Sequence, residues 1–362
     1  MAGKKRRESV WYAITHPRKL GSVEYLRLIN RVRIFVAAGL LISIFVFLVL
    51  AWLGGINKVV DTILSSDFYL YGAAFLVVFL GFALRFVKWS YYLKQFKLKV
   101  PLHRSILVYF SLYAMDITPG QIGRMIAAYA LSKISDSEIV DVLPVVTMDI
   151  FTDSLGFAVL TLLAALYFNQ YLLLVIAADL LLVLPTFIFL INGWFFHRTK
   201  NFMERHTIFK VFSLYGDEYF AAQSKLSRPK VYAVSLLVTI PSAFLWASAL
   251  YFTFAAVGVN VPLTQSVFVF STSQLFGMVS AIPGNLGVTD GALVALSQSY
   301  LHVAVATSYA VAIMARLATL WFGILFGSVF LFYTMKYWKI KDKGGGVGGR
   351  FKSAARRLRR LR

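Results

Sequence analysis

Long apolar runs decide most of what this chain can be. Six segments, approximately 34–53, 68–93, 139–167, 171–195, 231–257 and 303–335, are apolar over a length that crosses a bilayer core as helix, for which about 20 residues suffice. Lipid offers the backbone no hydrogen-bond partner, so such runs are predicted helical throughout. Two further apolar regions, 103–131 and 264–300, are interrupted by the same pattern: "DITPGQIGRMIAAY" from Asp116 and "SAIPGNLGVTDGAL" from Ser280. Pro119, Gly120 and Gly123 correspond to Pro283, Gly284 and Gly287 at one constant offset. Proline removes a backbone donor and glycine weakens a helix. The expected fold is an all-α polytopic membrane protein with about six full spans and two Pro-Gly-broken re-entrant hairpins.

Charge placement gives these elements a direction. Lys4–Arg7, Arg18, Lys19, Arg27, Arg31 and Arg33 precede the first span, and the connections 94–104 and 196–230 and the tail beyond Tyr333 are basic. The connections 54–67, 168–170 and 258–263 carry little or no positive charge. By the positive-inside rule both termini are cytoplasmic. A first unit, about 68–167, then runs inward, opens a hairpin from the cytoplasm and returns outward. A second, about 231–335, does the reverse. An inverted repeat built from discontinuous helices is the pattern of alternating-access transporters. The limb 120–131 spans about 18 Å as helix, too short to cross, whereas 103–118 and 264–281 are long enough to leave full crossing open.

The flanks are separate in character. Residues 1–33 form a basic cytoplasmic segment without the short apolar core and small-residue cleavage site of a secretory signal. The transmembrane domain covers 34–335, with an amphipathic cytoplasmic loop at 196–230, and 336–362 is a glycine linker followed by a basic tail suited to anionic lipid. The net charge of +21 lies in these regions, so no nucleic-acid role is expected. There are no cysteines, and the five histidines lack zinc spacing, so no metal or cofactor is expected. No Walker A sequence supplies an ATP engine.

Ionisable residues inside apolar helices are costly and therefore candidates for function. Asp149 and Asp153, four apart, share a helix face. Arg316 lies within the last span, Asp116 precedes the first Pro-Gly break, and Arg124 and Asp290 follow the two breaks. Arg85 and Lys88 are read either as headgroup contacts or as side chains snorkelling to the interface. The acids and bases are equally able to form static buried pairs. The breaks should also leave helix N-termini near Gly120 and Gly284, whose free N–H groups attract anions. With Arg124 and Arg316 they suggest a phosphate site.

The ordered segments "TPGQIGRMIAAYALSK", "VVTMDIFTDSLG" and "IPGNLGVTDGAL", followed by Arg316, resemble the lysylphosphatidylglycerol synthase transmembrane-region family over roughly 34–335. That flippase-like domain also occurs attached to archaeal glycosyltransferases of lipid-linked glycan pathways. The second motif of the family usually ends in Glu where this chain has Asp290. In the first, Arg124 stands at the family's Glu and Ala127 at its Arg, while Ala128 and Tyr129 fit. In the third, Asp149 and Asp153 fit and Ile150 replaces Arg. Arg124 is therefore expected to pair with Asp149 or Asp153. The resemblance implies a stand-alone form without a soluble transferase domain, served by a partner lipid synthase or glycosyltransferase.

The expected function is a flippase or scramblase of the plasma membrane, moving an anionic phospholipid or polyprenyl-phosphate-linked glycan by alternating access, and not an enzyme. Its headgroup site would be formed by Pro119, Gly120, Gly123, Arg124, Pro283, Gly284, Asn285, Gly287 and Arg316. Asp116, Asp149, Asp153 and Asp290 would serve as polar relay or ion pairs, with Arg85, Lys88 and Tyr129 as further headgroup contacts. An intramembrane lipid-modifying enzyme and a scaffold for a lipid synthase are the alternatives.

Overall fold

A computed structural model describes residues 22–118, 123–137, 139–166, 222–224, 226, 228–280 and 282–344. Among them every regular element is helical. In chain order these are α1 (Ser22–Gly54), α2 (Ile56–Leu64), α3 (Phe68–Gln95), α4 (Leu102–Ser111), α5 (Met125–Ser135), α6 (Ile139–Ala165), α7 (Pro229–Ala256), α8 (Leu263–Ser280), α9 (Val288–Ser299), α10 (Val305–Arg316) and α11 (Phe322–Gly344). A 3-10 turn, Leu112–Met115, extends α4, another, Pro283–Asn285, lies between α8 and α9, and a π-helical turn, Leu317–Trp321, joins α10 to α11.

Five stretches are long and apolar enough to cross a membrane: Ala37–Gly54, Phe68–Gln95, Asp141–Ala165, Pro229–Ala256 and Val305–Thr334. The expected span at 171–195 lies outside the described residues, as do most of the 196–230 loop and the basic tail beyond Gly344. The chain is an integral membrane protein, and its spans differ in depth. Only 22% of the α1 window is buried, with Leu41, Phe45, Leu48 and Trp52 exposed, against 67% for Asp141–Ala165 and 72% for Val305–Thr334. α1 is thus peripheral, and α6 with α10–α11 forms the interior.

Local chemistry sets the ends. Asp67 caps α3 by accepting from the N–H groups of Tyr69 (2.8 Å) and Leu70 (3.2 Å), which fills donors a helix start leaves open. Pro229 occupies the first turn of α7, where its missing N–H costs nothing.

Both Pro-Gly regions break the helix. After the first, α5 runs 11 residues, about 16 Å; before it α4 runs 10, about 15 Å. After the second, α9 runs 12 residues, about 18 Å; before it α8 runs 18, about 27 Å. Of these only α8 approaches the roughly 30 Å of a bilayer core.

The packing order matters for the site. α3 lies along α7; α4 and its 3-10 extension lie on α11; α8 lies on α6. The helix before each break therefore packs on a helix from the other half of the chain. Contact is close where residues are small: a methyl group added at Gly327 of α11 would stand 2.4 Å from the Ala114 nitrogen. Aromatic rings fill the junction, with Phe82 of α3 against Tyr113 (centroids 4.0 Å) and Trp246 (5.4 Å), and Phe110 against Phe326 (5.3 Å).

Candidate functional site

The periodicity of α3 places Arg85, Lys88 and Tyr92 on one face, and α6 presents Asp149, Thr152 and Asp153 to them. Lys88 Nζ donates to Asp153 Oδ1 (2.6 Å), Thr152 Oγ1 (3.0 Å) and the Asp149 carbonyl (3.2 Å), and lies 3.1 Å from Asp149 Oδ1. Arg85 Nη1 pairs with Asp153 Oδ2 (3.2 Å), and its Nε donates to Ser242 of α7 (3.2 Å). Tyr92 donates to Ser235 of α7 (2.8 Å) and bonds Thr152 (3.0 Å). Arg85 and Lys88 are 2% and 1% exposed. This overturns the snorkelling reading: two acids on the facing helix hold them in the interior, where each charge is compensated.

The first break adds Asp116 and Arg124. Arg124 Nε donates to Asp116 Oδ1 (2.6 Å), and Nη1 lies 3.7 Å from Asp149 Oδ2. The expected pairing with Asp149 is present, but Asp116, across the break, is the nearer partner. The second break is organised otherwise. Asp290 accepts the Gly287 N–H (2.7 Å) and pairs with Arg316 Nε (3.0 Å), while Arg316 Nη2 donates to the Gly284 carbonyl. The π-helical turn begins directly after Arg316.

These contacts move the expected helix N-terminus at the second break and fill the N–H groups of the turn that leads to it. The second helix starts at Val288 rather than Gly284, and the Asp290 carboxylate in its first turn takes the N–H of Gly287, the residue before it. The N–H groups of Asn285 and Leu286 bond the carbonyls of Ile282 and Pro283. Gly284, at φ +61°, offers Arg316 an acceptor. At the first break the Gly123 N–H goes to Thr118 Oγ1 (2.9 Å); Pro119 and Gly120 lie outside the described residues.

One cavity lies between the two breaks. Arg85, Tyr113, Asp116, Arg124, Asp153, Phe157, Trp246, Gln274, Gly284, Asn285 and Arg316 contribute to its wall. About 50 Å³ is open to the centre of a water molecule, room for a few waters but not for a lipid headgroup. Arg85 Nη2, Trp246 Nε1 and Gln274 Oε1 are buried without a hydrogen-bond partner; two donors and one acceptor on one wall favour a polar occupant. The Arg85 guanidinium lies 4.5 Å from the Trp246 ring centre, a cation–π contact. Lys88, Asp149 and Asp290 support this wall from behind. Gly123, Pro283, Gly287 and Tyr129 do not contribute to it; Gly287 is exposed, and Tyr129 takes the Lys133 ammonium over its ring at 5.5 Å.

The sequence reading missed Tyr92, Tyr113, Thr152, Ser235, Trp246 and Gln274. The seven-residue spacing from Arg85 to Tyr92 was a usable signal for the first; the rest arrive from other helices. No group of three metal-ligating side chains occurs among the described residues.

The chain matches the family described as "Lysylphosphatidylglycerol synthase TM region" over residues 36–327. It belongs to that family. Curated relatives include a UPF0104 membrane protein of Pyrococcus horikoshii, 24% identical over 337 residues that cover 82% of this chain and 96% of the relative. A UPF0104 membrane protein of Methanothermobacter thermautotrophicus is 24% identical over 299 residues, covering 74% and 86%. The match takes in both Pro-Gly breaks, Asp149, Asp153 and Arg316, so the site lies wholly within the family domain.

Proposed function

We propose that this protein moves a phosphate-bearing lipid headgroup between leaflets through the cavity between its two broken hairpins. The observation that carries the reading is the meeting of Arg124, Arg316, Arg85 and unpartnered Trp246 and Gln274 atoms on one buried wall, inside a domain of a lipid-associated membrane family. Reciprocal packing supports an inverted repeat: α4 rests on α11 and α8 on α6, as a two-fold axis in the membrane plane would require. The short limbs support re-entry at the first hairpin.

In this reading the small cavity belongs to an occluded conformation. Rocking of one unit against the other along α3 and α7 opens it to either leaflet. The guanidiniums hold the phosphate, since planar donors match its oxygens, and the acyl or prenyl chains stay in lipid. Both termini face the cytoplasm and the membrane is the plasma membrane. A phospholipid or a polyprenyl-phosphate-linked glycan fits this chemistry, supplied by a separate synthase or glycosyltransferase.

Reconstitution into liposomes with fluorescent phosphatidylglycerol or a polyprenyl phosphate tests this. Wild type exchanges label between leaflets, and Arg316→Ala and Arg124→Ala lower the rate at least tenfold while remaining folded. Wild-type protein that exchanges neither lipid faster than protein-free vesicles defeats the proposal in favour of an enzyme or a scaffold.

A further inference from the structure

Eight ionisable side chains build the site, seven of them buried and Asp116 half-buried, and they balance. Arg85, Lys88, Arg124 and Arg316 face Asp116, Asp149, Asp153 and Asp290, and every cation has an acid within 3.2 Å. A site that already balances its charge has no spare cation for an anionic headgroup. An added phosphate must take a guanidinium from a carboxylate, and the released carboxylate becomes an uncompensated buried charge, which costs several kcal/mol. Protonation of that carboxylate removes the cost.

The hold on each acid differs. Asp153 is held by both Arg85 and Lys88, Asp149 by Lys88 and Arg124, and Asp290 by Arg316 and the Gly287 N–H. Asp116 has one partner, Arg124, and its side chain is the most exposed of the four, at 13%. Asp116 and Arg124 both line the cavity. The charged and titratable groups around Asp116 are Arg124 at the start of α5, Tyr113 on its own turn, Arg85 of α3, Asp153 of α6 and Arg316 of α10, all on the same cavity wall. Arg85, Asp153 and Arg316 are engaged with each other or with Asp290, and Arg124 is the cavity guanidinium whose nearest acid, Asp116, has no second partner, which makes it the partner that phosphate can take.

We propose that the headgroup enters with one proton: phosphate displaces Asp116 from Arg124, and the Asp116 carboxyl takes a proton from water on the loading side and returns it on release. The inference rests on the lipid-translocation reading. It makes the protein a proton–lipid symporter, so a pH gradient alone can drive an anionic lipid uphill.

Proteoliposomes with fluorescent phosphatidylglycerol, the membrane potential clamped at zero, and one pH unit across the bilayer supply the test. One proton per lipid predicts a steady-state leaflet ratio shifted about tenfold toward the higher-pH side, the ratio of proton concentrations at 1.36 kcal/mol per unit. Asp116→Asn, which cannot release a proton, brings the ratio back toward that of protein-free vesicles, and Asp116→Glu keeps the shift. Wild-type exchange with an even distribution under the gradient overturns the proton step while leaving lipid translocation standing. Absence of exchange by wild type defeats both. If Asp116→Asn does not fold, the wild-type ratio still decides the matter.

Discussion

The two Pro-Gly breaks share a backbone device and differ in their charge logic. At the first, the acid precedes the break and the base follows it; Asp116 and Arg124 close across it at 2.6 Å, and Arg124 reaches on toward Asp149. At the second, the acid follows the break and takes the N–H just before its own helix, and the base arrives from α10. The first break is thereby connected to the α3–α6 network, whereas the second is held locally, by Arg316 on Asp290 and the Gly284 carbonyl and by Asp290 on the Gly287 N–H. A repeated backbone break fixes where polar groups gather. It leaves their signs free, provided each charge finds a partner.

Substitutions can break this comparison in graded steps. Lys88→Met should be the most damaging, because it removes the cation that Asp149 and Asp153 share and leaves two neighbouring carboxylates with one arginine each, Arg124 and Arg85. Loss of one partner of a buried pair costs about 3–5 kcal/mol, read as a large fall in unfolding temperature in detergent, and adding Asp153→Asn should recover part of it. Arg316→Met should come next, since Asp290 keeps its bond to the Gly287 N–H; a loss of about 3 kcal/mol or a little less is expected, and a loss equal to that of Lys88→Met would erase the distinction between the networks. Gly327→Ala should cost about 1–3 kcal/mol by overpacking, because the new methyl meets the Ala114 backbone and has nowhere to turn. The smallest effect is expected of Tyr92→Phe, about 1 kcal/mol, from loss of the hydroxyl shared with Ser235 and Thr152. Chemical denaturation of the purified variants would rank these last two.

Several elements are legible in the sequence alone. Five of the six apolar runs coincide with helices long and apolar enough to cross a membrane, and the Pro-Gly patterns marked both helix breaks. The four-residue spacing of Asp149 and Asp153 announced a shared face, and α3 meets that face with Arg85 and Lys88. Other readings failed for identifiable reasons. A helix N-terminus was expected at Gly284, but Gly284 takes a left-handed φ and the turn runs on to Gly287, whose N–H goes to Asp290. Snorkelling of Arg85 and Lys88 was plausible from their position toward one end of the span, but packing against α6 and α7 buries them.

By itself, the sequence determined the membrane class, the long apolar helices and the regions of helix breakage, because hydrocarbon punishes an unpaired backbone group wherever it lies along a chain. It also determined that charged residues would need partners. Only the tertiary structure decided which partners they have. Arg316 and Gly284 are 32 residues apart in sequence, and Lys88 and Asp153 are 65 apart. Contacts over such separations follow from how helices cross, and crossing is set by the small residues and aromatic rings at the junction. The charge balance of the site is a property of that assembly, and no single motif carries it.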